Sequence, residues 1–353
     1  MDLDDRIKAF AQLGEFLTQF NSTGCHKLEE VPFNDLFFDA FIEQIQKAEN
    51  HNAWFSKANI LHAIEHWSNQ LTYNNIKDWL LKYNFKNTQP AKVAVIMAGN
   101  IPLVGFHDVL SVLITGHSVL IKPSSNDEQL LPLLCNYLCS VEPQFKDRIE
   151  FTQDRLVDFD RVIATGSDNT ARYFEYYFKD KPAVIRKNRN SVAVLSGNET
   201  EEQLTALSED IFRYYGLGCR NVSKLYVPEN YDFDSFFKAI YDWHPLIHEH
   251  KYANNYDYNK AVYLMSEFDI LENGFLMLKK DEAFSSPIAT LFYETYSSKS
   301  QLKTHLDTFE DKIQCVVADG FDDHEVKFGH TQRPALDTYA DGVDTVDFLL
   351  KNS

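Results

Sequence analysis

Apolar residues recur at helical spacing along the first 85 positions. Ile7, Phe10, Leu13 and Leu17 share one face, as do Phe38, Phe41, Ile42 and Ile45, and Trp54, Ile60, Leu61, Ile64 and Trp67 continue the pattern. Asn21-Ser22-Thr23-Gly24 reads as a polar joint between helices. Near Pro90 the period changes. Lys92-Val93-Ala94-Val95-Ile96-Met97 is a short, almost continuous apolar run, the pattern of a strand buried on both faces of a parallel sheet. Pro102 to Thr115 predicts a helix ended by Gly116. Ser118-Val119-Leu120-Ile121-Lys122 predicts a second buried strand stopped by Pro123, and Asp127 to Leu138 a further helix. Ile149-Glu150-Phe151 predicts an edge strand. Arg161-Val162-Ile163-Ala164 predicts another strand, closed by Thr165-Gly166-Ser167, with a helix from Asp168 to Phe178 after it. Ala183-Val184-Ile185 and Val192-Ala193-Val194-Leu195 add strand material. Strands alternating with helices predict an α/β fold on a parallel, doubly wound sheet with helices on both faces.

A second unit starts near Thr200. Leu204, Leu207, Ile211, Phe212 and Tyr215 predict an amphipathic helix that delivers Cys219. Leu225 to Val227 predicts a strand and Phe233 to Tyr241 a helix. Ala289-Thr290-Leu291-Phe292-Tyr293 and Ile313-Gln314-Cys315-Val316-Val317 predict later strands, separated by a helix from Ser300 to Phe309. This unit is α/β as well.

Composition narrows the function classes. The chain has 353 residues, 44% of them hydrophobic and 24% charged, a globular composition with enough length for two ordinary domains or one large one. A formal net charge of -18 argues against a nucleic-acid partner, whose phosphates require clustered Lys and Arg, and against docking on anionic membranes. No apolar run is long enough to span a bilayer, and the acidic N-terminus Met1-Asp2-Leu3-Asp4-Asp5 lacks the apolar core of a signal peptide. Cys25, Cys135, Cys139, Cys219 and Cys315 are odd in number and show no CxxC spacing, which fits reduced thiols in a cytoplasmic protein.

Cys219 differs from the other four cysteines. Gly216-Leu217-Gly218-Cys219-Arg220-Asn221 places it in a glycine-loosened turn just before the apolar run Val222 to Val227. A thiol there is open to an acyl carbon, and nearby backbone N–H groups can face the oxygen on that carbon. Cys25, Cys135, Cys139 and Cys315 lie in or beside helical and strand patterns and read as structural. Asn100, in Ala98-Gly99-Asn100-Ile101-Pro102, follows a buried strand, where its amide can donate to a developing oxyanion or serve as an ordinary cap. Lys122 puts a cation at the carboxyl end of a strand, where open α/β sheets bind ligands, or is a surface lysine at a strand end. Thr165-Gly166-Ser167 opens a helix after a strand, so that its backbone can face a nucleotide or serve as an ordinary strand-to-helix turn. His244, His248 and His250 cluster, but Pro245 interrupts the helical spacing and no HExxH is present, so no metal is expected.

The order strand, Asn-x-Pro, helix, Gly-x-x-Val-x-x-Lys-Pro-Ser, helix, strand, Thr-Gly-Ser, Cys resembles the aldehyde dehydrogenase superfamily from about Lys92 to Val227. Within it the chain is similar to the acyl-CoA reductase branch typified by the long-chain fatty acyl-CoA reductase of bacterial bioluminescence. The helical N-terminal region, the reduced size and the tail Gln332-Arg333-Pro334-Ala335-Leu336-Asp337 support that branch. The resemblance implies an aldehyde-dehydrogenase-like fold in four parts. These are a helical region 1–85 packing on the cofactor domain, a dinucleotide-binding domain 86–199, a catalytic domain 200–330 and a return segment 331–353.

It also implies roles. Cys219 matches the nucleophile and Asn100 the side-chain donor of the oxyanion hole. Lys122 matches the lysine on the adenosine ribose, with Ser125 beside it. Thr165, Gly166 and Ser167 match the turn beside the pyrophosphate and nicotinamide. Glu282, in Asp281-Glu282-Ala283-Phe284-Ser285-Ser286-Pro287, resembles the Glu-x-Phe-x-Pro contact to the nicotinamide ribose, with one extra residue before the proline. Two departures matter. Hydrolytic members carry Glu-Leu-Gly-Gly as general base where this chain reads Arg186-Lys187-Asn188-Arg189, so an acyl-enzyme here exchanges with a thiol and not with water. The same basic cluster fits either CoA or cofactor phosphates, or a solvated loop. NAD-preferring relatives carry Lys-Pro-Ser-Glu, and Ser125 replaces that Glu, which favours NADPH.

The expectation is a cytoplasmic, NADPH-dependent reductase acting on an acyl-CoA or acyl-protein thioester. It binds no nucleic acid, does not span a membrane, and forms either a homo-oligomer or a complex with an acyl-transferring ligase. Two alternatives stay open: an NAD(P)-dependent aldehyde dehydrogenase making free acid, and a non-catalytic acyl-binding subunit of a reductase complex.

Overall fold

The computed structural model describes residues 1–85 and 89–351. The expected boundary at residue 86 and the last two residues of the expected return segment lie outside them. The chain forms two compact units, one from Met1–Lys187 with Ala335–Ser353 and one from Asn188–Pro334.

The first unit begins with helices α1 (Leu3–Leu17), α2 (Asn34–His51), α3 (Lys57–Gln70) and α4 (Tyr73–Leu80), with a short hairpin of β1 (Phe20–Asn21) and β2 (Gly24–Cys25) after α1. Asp2 caps α1 by accepting the Asp5 N–H, and Asp5 returns the bond to the Asp2 backbone. The sheet follows: β3 (Lys92–Ile96), α5 (Phe106–Ile114), β4 (Ser118–Lys122), α6 (Leu130–Val141), β5 (Ile149–Phe151), β6 (Arg161–Thr165), α7 (Asp168–Tyr177) and β7 (Ala183–Arg186). All five strands are parallel, in the order β5-β4-β3-β6-β7. Ile96 at the end of β3 pairs with Lys122 on one side and Ala164 on the other. The order reverses between β3 and β6, so the carboxyl edge there is a topological switch point.

The two faces of this sheet are covered differently. Val93, Val95, Val119, Ile121 and Ile163 point to one face and join α1 to α6 in a single buried core. Phe16, fully buried in that core, stacks on Tyr137 with ring centroids 4.3 Å apart. Ala94, Val162 and Ala164 point to the other face, where they meet Phe159, Phe174 and Phe178. Among the described residues, α7 with Phe178 just after it and the segment 152–160, which has no helix of its own, supply that cover. Cations finish the helix ends: Arg6 Nε donates to the Ile114 carbonyl (2.8 Å) at the end of α5, and Arg161 donates to the Leu349 carbonyl (2.7 Å) in the C-terminal helix Thr345–Lys351.

The second unit contains β8 (Asn190–Val194), α8 (Glu201–Phe212), β9 (Val222–Pro228), α9 (Phe233–Ala239), α10 (His250–Met265), β10 (Ile270–Glu272), β11 (Met277–Lys280), β12 (Thr290–Tyr296), α11 (Lys299–Asp307) and β13 (Ile313–Val317). The six strands lie in the order β10-β11-β12-β9-β8-β13, and only the β10–β11 pair is antiparallel. Sequence periodicity missed α10, β10 and β11. The polar and aromatic residues of α10 follow no amphipathic stripe, and β10 and β11 are too short for a period to show.

The helix expected from Pro102 starts later, at Phe106. Leu103 is left-handed (φ 57°) and breaks the pattern. Its N–H donates to Asp127 Oδ2 (2.8 Å), and Asp127 N–H bonds the Ser124 carbonyl (3.0 Å). A Cβ on Gly99 would come 2.4 Å from Ser124 Oγ, so the loop after β3 presses against the loop after β4. Asp127 is buried, and its Oδ1 has no hydrogen-bond partner among the described residues. Burial pushes its carboxyl up to about 7, against the Leu103 N–H, which pulls it down. A raised carboxyl holds its proton in the folded chain where the unfolded chain has lost it, so wild-type stability falls as pH rises from about 4 to about 7. Asp127→Asn removes that slope. In urea unfolding between pH 4 and pH 8, the variant should gain on wild type by on the order of 2–4 kcal/mol; a difference that stays flat with pH would show that Asp127 titrates as an ordinary carboxylate.

Candidate active site

Asn100, Lys122, Ser125, Thr165, Gly166 and Ser167 belong to the first unit, and Cys219 and Glu282 to the second. In the first unit they gather at the carboxyl edge of the sheet. Asn100 is exposed in the loop after β3. Lys122 ends β4, and its Nζ donates to the Asp154 carbonyl (2.9 Å). The Ser125 carbonyl meets His51 Nε2 at 2.6 Å, and Asn52 Nδ2 donates to the next carbonyl, that of Asn126, at 3.3 Å, so the end of α2 fixes this loop. Thr165 ends β6 opposite Arg186, and Gly166 N–H bonds the Arg186 carbonyl (3.2 Å). Ser167 caps α7 by accepting the Thr170 N–H (3.3 Å). A Cβ on Gly166 would stand 2.9 Å from Thr170 side-chain carbons, so glycine sets how closely α7 approaches the strand end.

A cavity of about 830 Å³ opens on the lightly covered face of this sheet. Ile96, Leu156, Phe159, Phe174 and Phe178 give it apolar and aromatic walls, and Lys122 borders it. It sits beside the switch point, where open α/β sheets take ligands.

In the second unit the Cys219 turn is built by strain and one amide. The apolar spacing predicts a helix through Tyr215, but α8 ends at Phe212. Tyr214 (φ 55°, ψ 28°), Tyr215 (φ 58°, ψ 22°) and Gly216 (φ 77°) then follow in left-handed conformation. Each left-handed non-glycine residue costs about 1–2 kcal/mol, and the burial of both tyrosine rings holds them there. Asn221 closes the structure. Its Nδ2 donates to the carbonyls of Asp210 (3.0 Å) and Arg213 (2.8 Å), satisfying the end of α8. Its Oδ1 accepts the Gly218 N–H (2.8 Å), while its own N–H bonds the Gly218 carbonyl (3.0 Å). Cys219 lies inside this doubly closed turn, half-buried, and its carbonyl accepts Ser191 Oγ (3.0 Å). Of the cysteines read as structural, Cys135 and Cys315 are buried, and burial pushes both thiols up.

Glu282 is exposed, but its loop is tied to the residues just after the Cys219 turn. Ser223 Oγ donates to the Phe284 carbonyl (2.7 Å) and Lys224 Nζ to the Glu282 carbonyl (2.7 Å). Lys224 is fully buried, pairs with Glu294, and lies 5.0 Å from the Tyr226 ring centroid and 5.1 Å from that of Phe284. Sequence reasoning passed over Asn221, Ser191 and Lys224. A lysine in the middle of the apolar run Val222 to Val227 was the one available signal.

The basic residues Arg186, Lys187 and Arg189 all have partners within the fold. Arg186 is buried in an ion pair with Asp108 and donates to Thr345 Oγ1 (2.9 Å). Lys187 pairs with Glu175 (2.7 Å), and Arg189 donates to the Glu310 carbonyl (3.0 Å). The His244-to-His250 segment forms a 3-10 turn, Tyr241–His248, leading into α10. Among the described residues, no helix is long and apolar enough to cross a membrane.

The fold matches solved aldehyde dehydrogenases. Aldehyde dehydrogenase 21 from Physcomitrella patens, solved with its reaction product succinate, aligns with a TM-score of 0.67 at 11% identity, covering 100% of this chain and 84% of that one. An indole-3-acetaldehyde dehydrogenase complexed with NAD+ aligns at 0.63 and 12% identity, covering 90% and 72%. The aldehyde dehydrogenase KauB from Pseudomonas aeruginosa aligns at 0.60 and 13% identity, with the same coverage of 90% and 72%. No curated protein matches by sequence. The model of the family described as acyl-CoA reductase (LuxC) matches residues 38–242, more than half of the chain, and the protein therefore belongs to the LuxC acyl-CoA reductase family.

Proposed function

We propose that this oxidoreductase reduces a long-chain fatty acyl thioester, carried on CoA or on a protein, to the aldehyde, with Cys219 as nucleophile and NADPH as reductant. The Cys219 turn carries this reading: a half-buried thiol in a tight turn fixed by Asn221 and Ser191, in a member of an acyl-CoA reductase family. Strained backbone of this kind gathers at functional sites.

Cys219 attacks the thioester carbonyl, its sulfur–carbon bond forms, and the carrier thiol leaves. Asn100 donates its amide to the oxygen as charge builds there. When bound, NADPH supplies a hydride to the acyl carbon. Cys219 then departs as thiolate, and the aldehyde is released. The segment that matches the general base of hydrolytic relatives, Arg186-Lys187-Asn188-Arg189, carries no carboxylate of its own to raise water against the acyl-enzyme. That favours thiol exchange over the free-acid alternative.

The residues present fit a dinucleotide. The cavity takes an adenine against Phe159, Phe174 and Phe178, with Lys122 on the ribose, and Gly166 and Ser167 lie at the adjoining strand end. The indole-3-acetaldehyde dehydrogenase noted above is itself complexed with NAD+. Ser125, in place of a carboxylate, tolerates a 2′-phosphate. The enzyme is read as cytoplasmic, working as a homo-oligomer or with an acyl-transferring ligase.

Incubation with radiolabelled fatty acyl-CoA should label the wild-type protein, and NADPH should discharge the label as aldehyde. Cys219→Ala should take no label and lose about 10³-fold or more in turnover, with its melting temperature and NADPH affinity unchanged. Labelling or turnover retained in that variant would refute the mechanism. Lys122→Ala should raise the KM for NADPH about tenfold and leave the KM for acyl-CoA within about twofold; equal rises in both would remove Lys122 from the cofactor site.

A further inference from the structure

The cavity on the lightly covered sheet face has a charged rim that the acyl chemistry does not use. Lys122, Arg155 and Lys181 border it, against one carboxylate, Asp180. Lys181 is engaged: its Nζ donates to the Phe159 carbonyl (2.5 Å) and lies 4.7 Å from the Phe159 ring centroid. Lys122 is bound to the Asp154 carbonyl. Arg155 differs. It is exposed and makes no ion pair or hydrogen bond among the described residues, Asp180 included. Its position is nonetheless held. Thr152 N–H bonds the Ile121 carbonyl (2.9 Å), Asp154 N–H bonds Thr152 Oγ1 (3.1 Å), and Lys122 grips the carbonyl directly before Arg155. The segment 152–160 is thus laced to the end of β4, and it brings Arg155 to the border of the same cavity as Lys122.

Two cations border one cavity, in a chain whose net charge of -18 offers carboxylates elsewhere. An unpartnered guanidinium at the mouth of an aromatic-walled cavity suits a ligand with a flat ring system and a compact anion. Inorganic phosphate would leave the apolar walls unused, and a simple aromatic would leave both cations unused. The planar fork of Arg meets two oxygens of a phosphomonoester at once, which the point charge of Lys cannot do.

Resting on the reading that this cavity holds the adenosine end of a dinucleotide, the geometry points to Arg155 as the residue that selects the phosphorylated cofactor. Its guanidinium takes the 2′-phosphate, with Lys122 as second donor. A ribose lacking that phosphate leaves Arg155 hydrated as it was, at no loss. The discrimination therefore comes from a gained ion pair and not from a clash, and removing Arg155 weakens one cofactor without strengthening the other.

The test is calorimetric titration of the full chain with NADPH, NADH, 2′,5′-ADP and 5′-AMP, for wild type, Arg155→Ala, Arg155→Lys and Arg155→Glu. Wild type should bind NADPH and 2′,5′-ADP more tightly than NADH and 5′-AMP. Arg155→Ala should weaken the two 2′-phosphorylated ligands by about 10- to 100-fold and leave the other two within about threefold. Arg155→Lys should restore part of the loss, and Arg155→Glu should reverse the preference. An exposed loop residue leaves the fold intact, which equal melting temperatures would verify. If wild type binds NADPH but Arg155→Ala weakens all four ligands alike, or none, the assignment of Arg155 is wrong and the cofactor reading stands. If wild type binds neither dinucleotide, both fall.

Discussion

Parallel strands all end on the same edge. That constraint places the functional features of the first unit, because β3, β4 and β6 deliver their following loops side by side. The pairing of Ile96 with both Lys122 and Ala164 fixes the register, so the Asn100 loop, the Lys122 rim and the Thr165–Ser167 turn emerge together although they are far apart in sequence. Period-two alternation then divides the strand side chains between a face sealed by α1 to α6 and a face with sparse cover. Aromatic rings of Phe159, Phe174 and Phe178 pack on the small residues of the sparse face, and they also line the cavity that opens beside them.

The second unit solves a different problem. Its candidate thiol, Cys219, is half-buried in a tight turn that is held in place. Two buried tyrosines in left-handed conformation stop α8 abruptly, and the Asn221 amide satisfies both the exposed helix carbonyls and the turn around Cys219. The strain is tolerable because the tyrosine rings are anchored in packed interior. Ser223 and Lys224 extend the same scaffold to the Glu282 loop, so one strand start organises two predicted site segments. The full burial of Lys224 is consistent with this role: its ammonium has a carboxylate, a carbonyl and two ring faces as company.

Electrostatics act locally. The overall acidic balance belongs to the surface, while the buried cations are spent on structure. Arg6 and Arg161 neutralise helix carbonyl ends, and Arg186 is neutralised by Asp108. Three of the basic residues that looked available in the sequence, Arg186, Lys187 and Arg189, are occupied by acidic side chains or carbonyls. Arg155, which no sequence pattern singled out, stands at a cavity mouth without an ion pair or hydrogen bond among the described residues.

The sequence by itself determined the alternation of strands and helices from Lys92 to Val227, the parallel character of the first sheet, and the exceptional setting of Cys219. Continuous apolar runs, glycine positions and residue spacing are local properties, and local sterics and burial read them directly. It also carried the motif order by which the family was recognised, because each motif sits at a strand end where backbone geometry demands particular residues. Only the tertiary structure decided that α8 stops short of Tyr215, that Leu103 delays α5, that Arg186 is buried and paired, and that Asn221 and Lys224 brace the candidate site. Each of these depends on a partner distant in sequence: Asp127 for Leu103, Asp108 for Arg186, the end of α8 for Asn221, Glu294 for Lys224. A pattern along the chain records which side a residue faces, but not what it meets there.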